Sequence, residues 1–350
     1  MDTPEQKHQR RVRYKGTHPR QFHEKYKELQ PEKYADTVDK ILQKGHTPAG
    51  MHVSICVKEI LDFLQIQPGQ IGLDATLGYG GHSSEMLKCL QSQGHLHALD
   101  ADPIELAKTT KRLRQMGFGP EILTTRLLNF AHIDEVTAEV GPFDFVLADL
   151  GLSSMQIDNP ERGFTYKKEG PLDLRLNPEK GVSGAERLQE LTREELEGML
   201  IENADEPYAA QIASAISSSL RKGIAITTTT QLRSIIEGAL SFLPKDNRKE
   251  LIQKSCQRTF QALRIDVNSE FEVLYEFLEK LPHVLKPGGR VAILSFHSGE
   301  DRLVKKAFKA FYREGLYSEI ATEVIRPSLE ECNRNSRARP AKLRWAIKVK

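Results

Sequence analysis

The stretch Ile71–His82, I-G-L-D-A-T-L-G-Y-G-G-H, decides how the rest of the chain is read. A short apolar run, Ile71 and Leu73, ends at Asp74, and the glycines Gly78, Gly80 and Gly81 then open a helix expected over Ser83–Leu90. Strand, tight glycine turn and helix in that order make the first βα unit of an open α/β sheet, whose ligands bind at the carboxyl ends of the strands. Glycine serves such a turn because it reaches positive φ without strain and lets a ligand approach bare backbone. Taken alone, the cluster reads almost as well as a structural turn with no ligand. The next strand separates the two readings.

That strand, His95–Asp100, closes on an acid. A carboxylate at the end of the second strand accepts hydrogen bonds from two vicinal hydroxyls, and Asp100 lies roughly twenty residues beyond the glycine turn, as a nucleoside-binding βαβ unit requires. The dinucleotide pattern G-x-G-x-x-G is not met, because Ser83 stands where its third glycine should be. A pyrophosphate at the helix N-terminus is therefore poorly supported. A nucleoside without phosphates fits better, and S-adenosylmethionine is the common one. The competing reading makes Asp100 the N-cap of the helix that follows, ahead of Pro103.

At 350 residues and 39% apolar content the chain suffices for one large domain or two modest ones. The net charge of +2 does not by itself point to nucleic acid. The distribution says more: Lys7, Arg10, Arg11, Arg13, Lys15 and Arg20 make a basic arm, and Arg334, Arg337, Arg339, Lys342, Arg344, Lys348 and Lys350 a basic end. Clustered positive charge is the footprint of a polyanion partner, although a merely solvated surface explains the arm equally well. Cys56, Cys89, Cys256 and Cys332 form no C-x-x-C pair, which argues against a zinc site or disulfide framework and for a reducing compartment. No run approaches the ~18 apolar residues of a membrane span, and the start has no signal-peptide core. Cytoplasm is the expected location.

Residues 1–45 read as a polar, basic extension with one helix around Gln21–Leu29. Val53, Val57, Ile60, Leu61 and Leu64 then recur at helical spacing before Pro68-Gly69. Beyond the first two strands, helix Pro103–Arg114 begins with proline in its first turn. Ile122–Leu128 reads as the third strand and Phe143–Leu150 as the fourth, the latter carrying Asp149. After Asp149 the α/β rhythm stops, and residues 157–256 read as an inserted helical domain with capping boxes at Thr192-x-x-Glu195 and Thr228-x-x-Gln231. The rhythm resumes with helix Glu270–Leu285, the turn Lys286-Pro287-Gly288-Gly289 and strand Arg290–Phe296. Ser318–Ile325 and Leu343–Lys348 are candidates for a closing antiparallel pair. The expected fold is α/β: a class I (Rossmann-like) S-adenosylmethionine-dependent methyltransferase sheet over 46–156 and 257–350, interrupted by the helical insertion.

D-L-G-L-S-S, Asp149–Ser154, sits beside the glycine turn in a sheet that reverses direction after its first strand. Amino methyltransferases place an acid or amide there. An exocyclic amine on cytosine or adenine is a poor nucleophile because its lone pair is delocalised into the ring. An acceptor on its N–H groups favours pyramidal geometry and aims the lone pair at the methyl group, so positioning carries the rate, with up to about 7–11 kcal/mol available. The bland alternative for Asp149 is an Asx-type turn residue.

H-T-P-A-G-M-H-V (46–53), D-A-T-L-G-Y-G-G-H-S (74–83), L-D-A-D-P (99–103), A-D-L-G-L-S-S-M-Q-I-D (148–158), R-G-F-T-Y (162–166), G-P-L-D-L-R-L (170–176), R-T-F-Q-A-L-R-I-D-V-N (258–268), S-F-H-S-G-E-D-R (295–302) and N-S-R-A-R-P-A-K-L-R (335–344) together resemble the motif set of the RsmH (MraW) family, bacterial 16S ribosomal RNA cytidine N4-methyltransferases. The resemblance implies methyl transfer to a cytidine of the small ribosomal subunit, at the decoding centre, with S-adenosylmethionine as cofactor and no metal or membrane partner. It places cofactor contacts on Gly80, Gly81, His82, Asp100, Phe130, Asp149 and Gln156. From the residues alone, Phe130 passes for a core aromatic, His82 for a structural histidine and Gln156 for a loop residue. Tyr79, Gly299, Ser336, Pro340 and the N-terminal extension depart from the family pattern.

Candidate RNA contacts are Arg162, Phe164, Arg175, Arg258, Arg264, His297, Arg302, Arg337, Arg339, Lys342 and Arg344. Basic side chains on phosphate give affinity without sequence reading, while Phe164 and Tyr166 line a pocket for a base that has left its stack. The helix carrying R-T-F-Q-A-L-R-I is expected to turn Phe260, Leu263 and Val267 inward and Arg258 and Arg264 outward. For His297 a capping role competes evenly. Two rival functions are an exocyclic amino methyltransferase acting on another nucleic acid and a non-catalytic RNA-binding assembly factor. The D-L-G-L-S-S loop speaks against the first, and the intact Gly80, Gly81, Asp100 and Asp149 against the second. Monomer and homodimer are equally compatible with the sequence.

Overall fold

The computed structural model describes residues 54–350. The basic arm, the helix expected at Gln21–Leu29 and the motif at 46–53 lie outside the described residues. Five strands run parallel, β1 (Ile71–Asp74), β2 (His95–Asp100), β3 (Leu123–Leu127), β4 (Phe143–Asp149) and β5 (Leu285–Ser295), and β6 (Tyr317–Ile320) and β7 (Lys342–Lys348) complete a seven-stranded sheet in the order β3-β2-β1-β4-β5-β7-β6. β7 is antiparallel to both β5 and β6. The order reverses at β1, so the loops leaving β1 and β4 diverge there and open a crevice at their carboxyl ends.

The helices that follow are α1 (Val57–Leu64), α2 (Gly81–Leu90), α3 (Pro103–Gln115), α4 (Ile133–Val140), α5 (Ser154–Asp158), α6 (Gly184–Glu190), α7 (Arg193–Ala204), α8 (Ala209–Arg221), α9 (Thr229–Ala239), α10 (Arg248–Val267), α11 (Glu270–Val284), α12 (Ser298–Arg313) and α13 (Leu329–Arg334). Covered on both faces, β4 reads as a near-continuous apolar run, F-D-F-V-L-A-D, whose Phe143, Phe145, Val146, Leu147 and Ala148 are all fully buried. One face packs Leu73 and Val146 against Phe277, Leu278 and Phe308 of α11 and α12. The other packs Phe145 and Leu294 against Ile60, Met86 and Leu87 of α1 and α2. Each such side chain contributes roughly 1.5–3 kcal/mol by leaving water.

A third, separate cluster fills the helical lobe, where Leu200, Ile212, Ile216, Leu232 and Ile236 meet Phe260 and Leu263 of α10. The expected boundary at residue 256 falls inside α10, a continuous 20-residue helix. Its first turns belong to the lobe, and its last turn carries Arg264 to the crevice. Both expected capping boxes form, at Thr192/Glu195 and Thr228/Gln231.

The turn at Lys286–Gly289 is incorporated into β5: Phe143 pairs with Leu285 and Phe145 with Arg290, so the extra residues bulge out, with Gly288 at φ 75°. Strand β6 stops at Ile320 rather than Ile325, and Ile325 instead makes an isolated bridge to Leu343.

Candidate active site

A cavity of about 590 Å³ lies over the switch point. Its walls come from the loops after β1 to β5, from Ser54-Ile55, and from the lobe through Phe164, Tyr166, Phe260 and Arg264.

The glycine turn is held from below. Gly80 is the N-cap of α2 at φ 77°, and a Cβ there would lie 2.7 Å from Thr109 Cγ2, so only glycine fits. The Gly78 amide donates to Asp100 Oδ2 at 2.8 Å, and the Gly78 carbonyl accepts from Thr109 Oγ1 at 2.6 Å. Tyr79 turns away from the turn and stacks under the Arg112 guanidinium, 3.5 Å from the ring centroid. Asp100 spends its second oxygen on the Asp102 amide, at 2.8 Å. Burial pushes its pKa up to about 7, against the lowering effect of those two amides.

Asp100 is not the N-cap of α3. That role belongs to Asp102, which accepts from the amides of Ile104 and Glu105 at 2.9 and 3.2 Å. Its other oxygen takes Gln156 Nε2 at 2.8 Å and Arg162 Nη1 at 2.7 Å, with the carboxylate wholly out of water. The sequence did carry a signal for Asp102: it directly precedes a proline in a helical first turn, where an N-cap belongs. Gln156 closes a capping box with Ser153 as well as bonding Asp102, and it lines the cavity. Phe130 stands at the end of β3, capped by Asn129, edge-on to Phe277 with ring centroids 5.0 Å apart.

Asp149 donates its amide to Thr76 Oγ1 at 2.6 Å, which ties the end of β4 to the β1 loop. Its Oδ2 lies 3.4 Å from His82 Nδ1, while its Oδ1 is buried with no hydrogen-bond partner in the described structure. His82 Nε2 sits 2.9 Å from the Ile55 carbonyl oxygen. Burial penalises the charged ring, but the Asp149 carboxylate and the Ile55 carbonyl outweigh it and hold the His82 pKa above the ordinary histidine value.

On the substrate side the structure corrects several expectations. Arg162 is 7% exposed and bonds Asp102 and the carbonyls of Arg175 and Leu176, so it cannot meet a phosphate. Arg344 is 6% exposed and forks onto Asp301, which Lys342 also approaches at 3.7 Å. Arg175 forks onto Asp173, outside the cavity. Arg264 faces the cavity wall rather than solvent, in a two-pronged pair with Glu270 at 2.8 Å on each prong.

His297 caps α12 in a capping box with Glu300 and lines the cavity. Gly299, where the family pattern has leucine, leaves room for Phe271, whose Cζ a Cβ would meet at 2.6 Å. Glu270, His297 and Glu300 bring donor atoms within 4.8 Å of one another, but Arg264 already neutralises Glu270, and His297 already pairs Glu300. Arg337 reaches the cavity rim, bonded to Asp158 at 2.7 Å. Phe164 is buried in the lobe core, and Tyr166 tilts on Phe260 at 5.7 Å with its hydroxyl buried and unpartnered. Half-buried Arg258 and exposed Arg302 and Arg339 form no ion pair among the described residues.

Five parallel strands with a reversed seventh, and a switch-point cavity between a glycine turn and two strand-end acids, define a Rossmann-like methyltransferase. More particularly, the chain belongs to the MraW methylase family, whose model matches residues 49–349. It is 68% identical over 342 residues to ribosomal RNA small subunit methyltransferase H 1 of Lachnoclostridium phytofermentans, covering 98% of this chain and 93% of the relative. It is also 68% identical over 349 residues to ribosomal RNA small subunit methyltransferase H 2 of Alkaliphilus metalliredigens, covering 100% of both. Identity to ribosomal RNA small subunit methyltransferase H of Koribacter versatilis is 39% over 302 residues, with 85% and 94% covered. Among the described residues no helix is long and apolar enough to cross a membrane.

Proposed function

We propose that this chain transfers a methyl group from S-adenosylmethionine to the exocyclic N4 amine of a cytidine in 16S ribosomal RNA, at the decoding centre of the small subunit, in the cytoplasm. The residues present suit the cofactor: a bare-backbone turn at Gly80-Gly81, an acid at Asp100 that lines the cavity with one amide on each oxygen, and Phe130 as an aromatic side for the adenine. When bound, S-adenosylmethionine supplies an electrophilic methyl on a sulfonium. Asp100 would accept from the ribose hydroxyls, and Gly80, Gly81, His82 and Gln156 would complete the wall. The reaction leaves a neutral thioether, so no Lewis acid is needed for the leaving group.

The observation that carries the reading is Asp149, a strand-end acid that lines the cavity beside the glycine turn, with one carboxylate oxygen, Oδ1, left without a hydrogen-bond partner among the described residues. Buried acceptors are rarely left unpaired, and an amine N–H satisfies this one while turning the nitrogen lone pair toward the methyl group. The methylated ammonium loses its proton readily, so no separate base is required. Phe164, Tyr166 and Phe260 of the lobe wall receive the flipped-out base and exclude water. The helical lobe of residues 157–256, together with the cavity-lining His297 and Arg337 and the arginines Arg258, Arg302 and Arg339, is the RNA-recognition surface.

Labelled methyl groups offered to small-subunit particles, free 16S rRNA and single-stranded DNA test this. Transfer to cytidine N4 in ribosomal RNA or particles is expected. Preferential transfer to DNA would move the substrate to another nucleic acid, and tight RNA binding with no transfer would leave an assembly factor.

A further inference from the structure

His82 is placed so that each ring nitrogen faces an acceptor. Nε2 lies 2.9 Å from the Ile55 carbonyl oxygen, which only accepts, so Nε2 carries a hydrogen. Nδ1 lies 3.4 Å from Asp149 Oδ2, and in a neutral ring with its hydrogen on Nε2 the buried Nδ1 would present a lone pair to that carboxylate. A ring protonated on both nitrogens removes the conflict, and its charge offsets the cost of burying the carboxylate. The other nearby groups do not compete. Asp74, on β1, is engaged by Ser83 Oγ at 2.6 Å and the Thr76 amide at 3.1 Å. Cys56, ahead of α1, has its thiol pKa driven up by burial and is neutral. Both acids, Asp74 and Asp149, favour the charged ring.

We propose that His82 is a positioning residue for Asp149: a buried imidazolium, anchored by the Ile55 carbonyl, that holds the carboxylate through Oδ2 and so fixes the orientation in which it meets the target amine. Without this clamp both oxygens are free to rotate into the cavity, and the amine loses its single aim. The proposal rests on the reading of Asp149 given above, but the protonation state of the ring is measured without turnover, so the two fail separately.

The test is nitrogen NMR of the full chain labelled with 15N-histidine, the His82 signals being those lost in His82→Gln. Followed across a pH titration, both ring nitrogens should stay protonated above the ordinary histidine value of 6.5, and in Asp149→Asn the ring should become a neutral tautomer with its hydrogen on Nε2 at lower pH than in the wild type. The Asp149→Asn shift also assigns the signals if His82→Gln fails to fold. A wild-type ring already neutral at the ordinary histidine value, or a ring that titrates no lower in Asp149→Asn, overturns the proposal. In steady-state kinetics, His82→Gln should lower kcat on the order of 10²-fold, well beyond any rise in KM for the methyl donor, and abolish the fall in wild-type kcat as pH rises through the His82 pKa. An unchanged kcat, or a loss of kcat together with a matching rise in KM, contradicts the positioning role.

Discussion

The two walls of the cavity treat their charged groups in opposite ways. On the sheet side Asp149 keeps an oxygen free, and Asp100 uses each oxygen only once. The basic groups of the opposite wall have acids of their own, Arg264 at the end of α10 with Glu270 and Arg337 at the rim with Asp158, as do Arg162 with Asp102 and Arg344 of β7 with Asp301 behind the cavity lining. An arginine that forks onto a buried carboxylate is part of the scaffold, whereas an acid with an unspent buried oxygen is equipment for a ligand. Asp102 and Asp149 make the contrast sharpest. Asp102, two residues beyond β2, is consumed by a helix cap, Gln156 and Arg162, whereas Asp149 at the end of β4 keeps one oxygen unpaired.

The strongest way to break this contrast is to remove Arg162. Arg162→Ala leaves Asp102 buried without its counter-charge, and a stability loss of about 3–5 kcal/mol is expected in urea denaturation. A loss under 1 kcal/mol, with weakened RNA binding, would return Arg162 to the substrate surface. On the opposite wall, Asp149→Ala should cost on the order of 10²–10³-fold in kcat with little change in melting temperature. Wild-type turnover in that variant would retire its role.

Asp100 gives a smaller effect that depends on pH. Its folded pKa of about 7 lies above the ordinary value of 3.8, so its contribution to stability is complete below 3.8 and gone above about 7. Ribose hydroxyls need the ionised acceptor, so cofactor affinity should weaken up to about tenfold per pH unit below 7, with proton release on binding. Calorimetry at pH 6 in two buffers of different ionisation enthalpy measures that release. The smallest effects belong to the rim. Arg258→Gln, Arg302→Gln and Arg339→Gln should each reduce the salt dependence of RNA binding by about one phosphate contact, and Arg344→Gln should leave that slope unchanged.

Much of this was legible in the chain. Ile71–His82 gave strand, turn and helix, Asp100 and Asp149 marked the strand ends, and the L-K-P-G-G turn announced β5. Local patterns suffice there because period, glycine and cap residues act over a few positions. The fate of the arginines was not legible, because Arg162–Asp102, Arg337–Asp158 and Arg344–Asp301 join residues 60, 179 and 43 positions apart. A basic residue shows its charge in sequence but not the acid that folding brings to it. Asp102 was missed for another reason, since the ribose reading of Asp100 drew attention from its neighbour, although Pro103 marked the cap. His82 reads from the residues alone as a structural histidine and from the resemblance as a cofactor contact, and only the fold sets Ile55 and Asp149 on either side of its ring.

The most direct test is a titration of the purified chain with S-adenosylmethionine and S-adenosylhomocysteine in a calorimeter. One saturable site per chain for both compounds, weakened by substitution at Asp100, is the predicted result. No measurable binding of either would contradict the assignment of the switch-point cavity, and the methyl-transfer account with it.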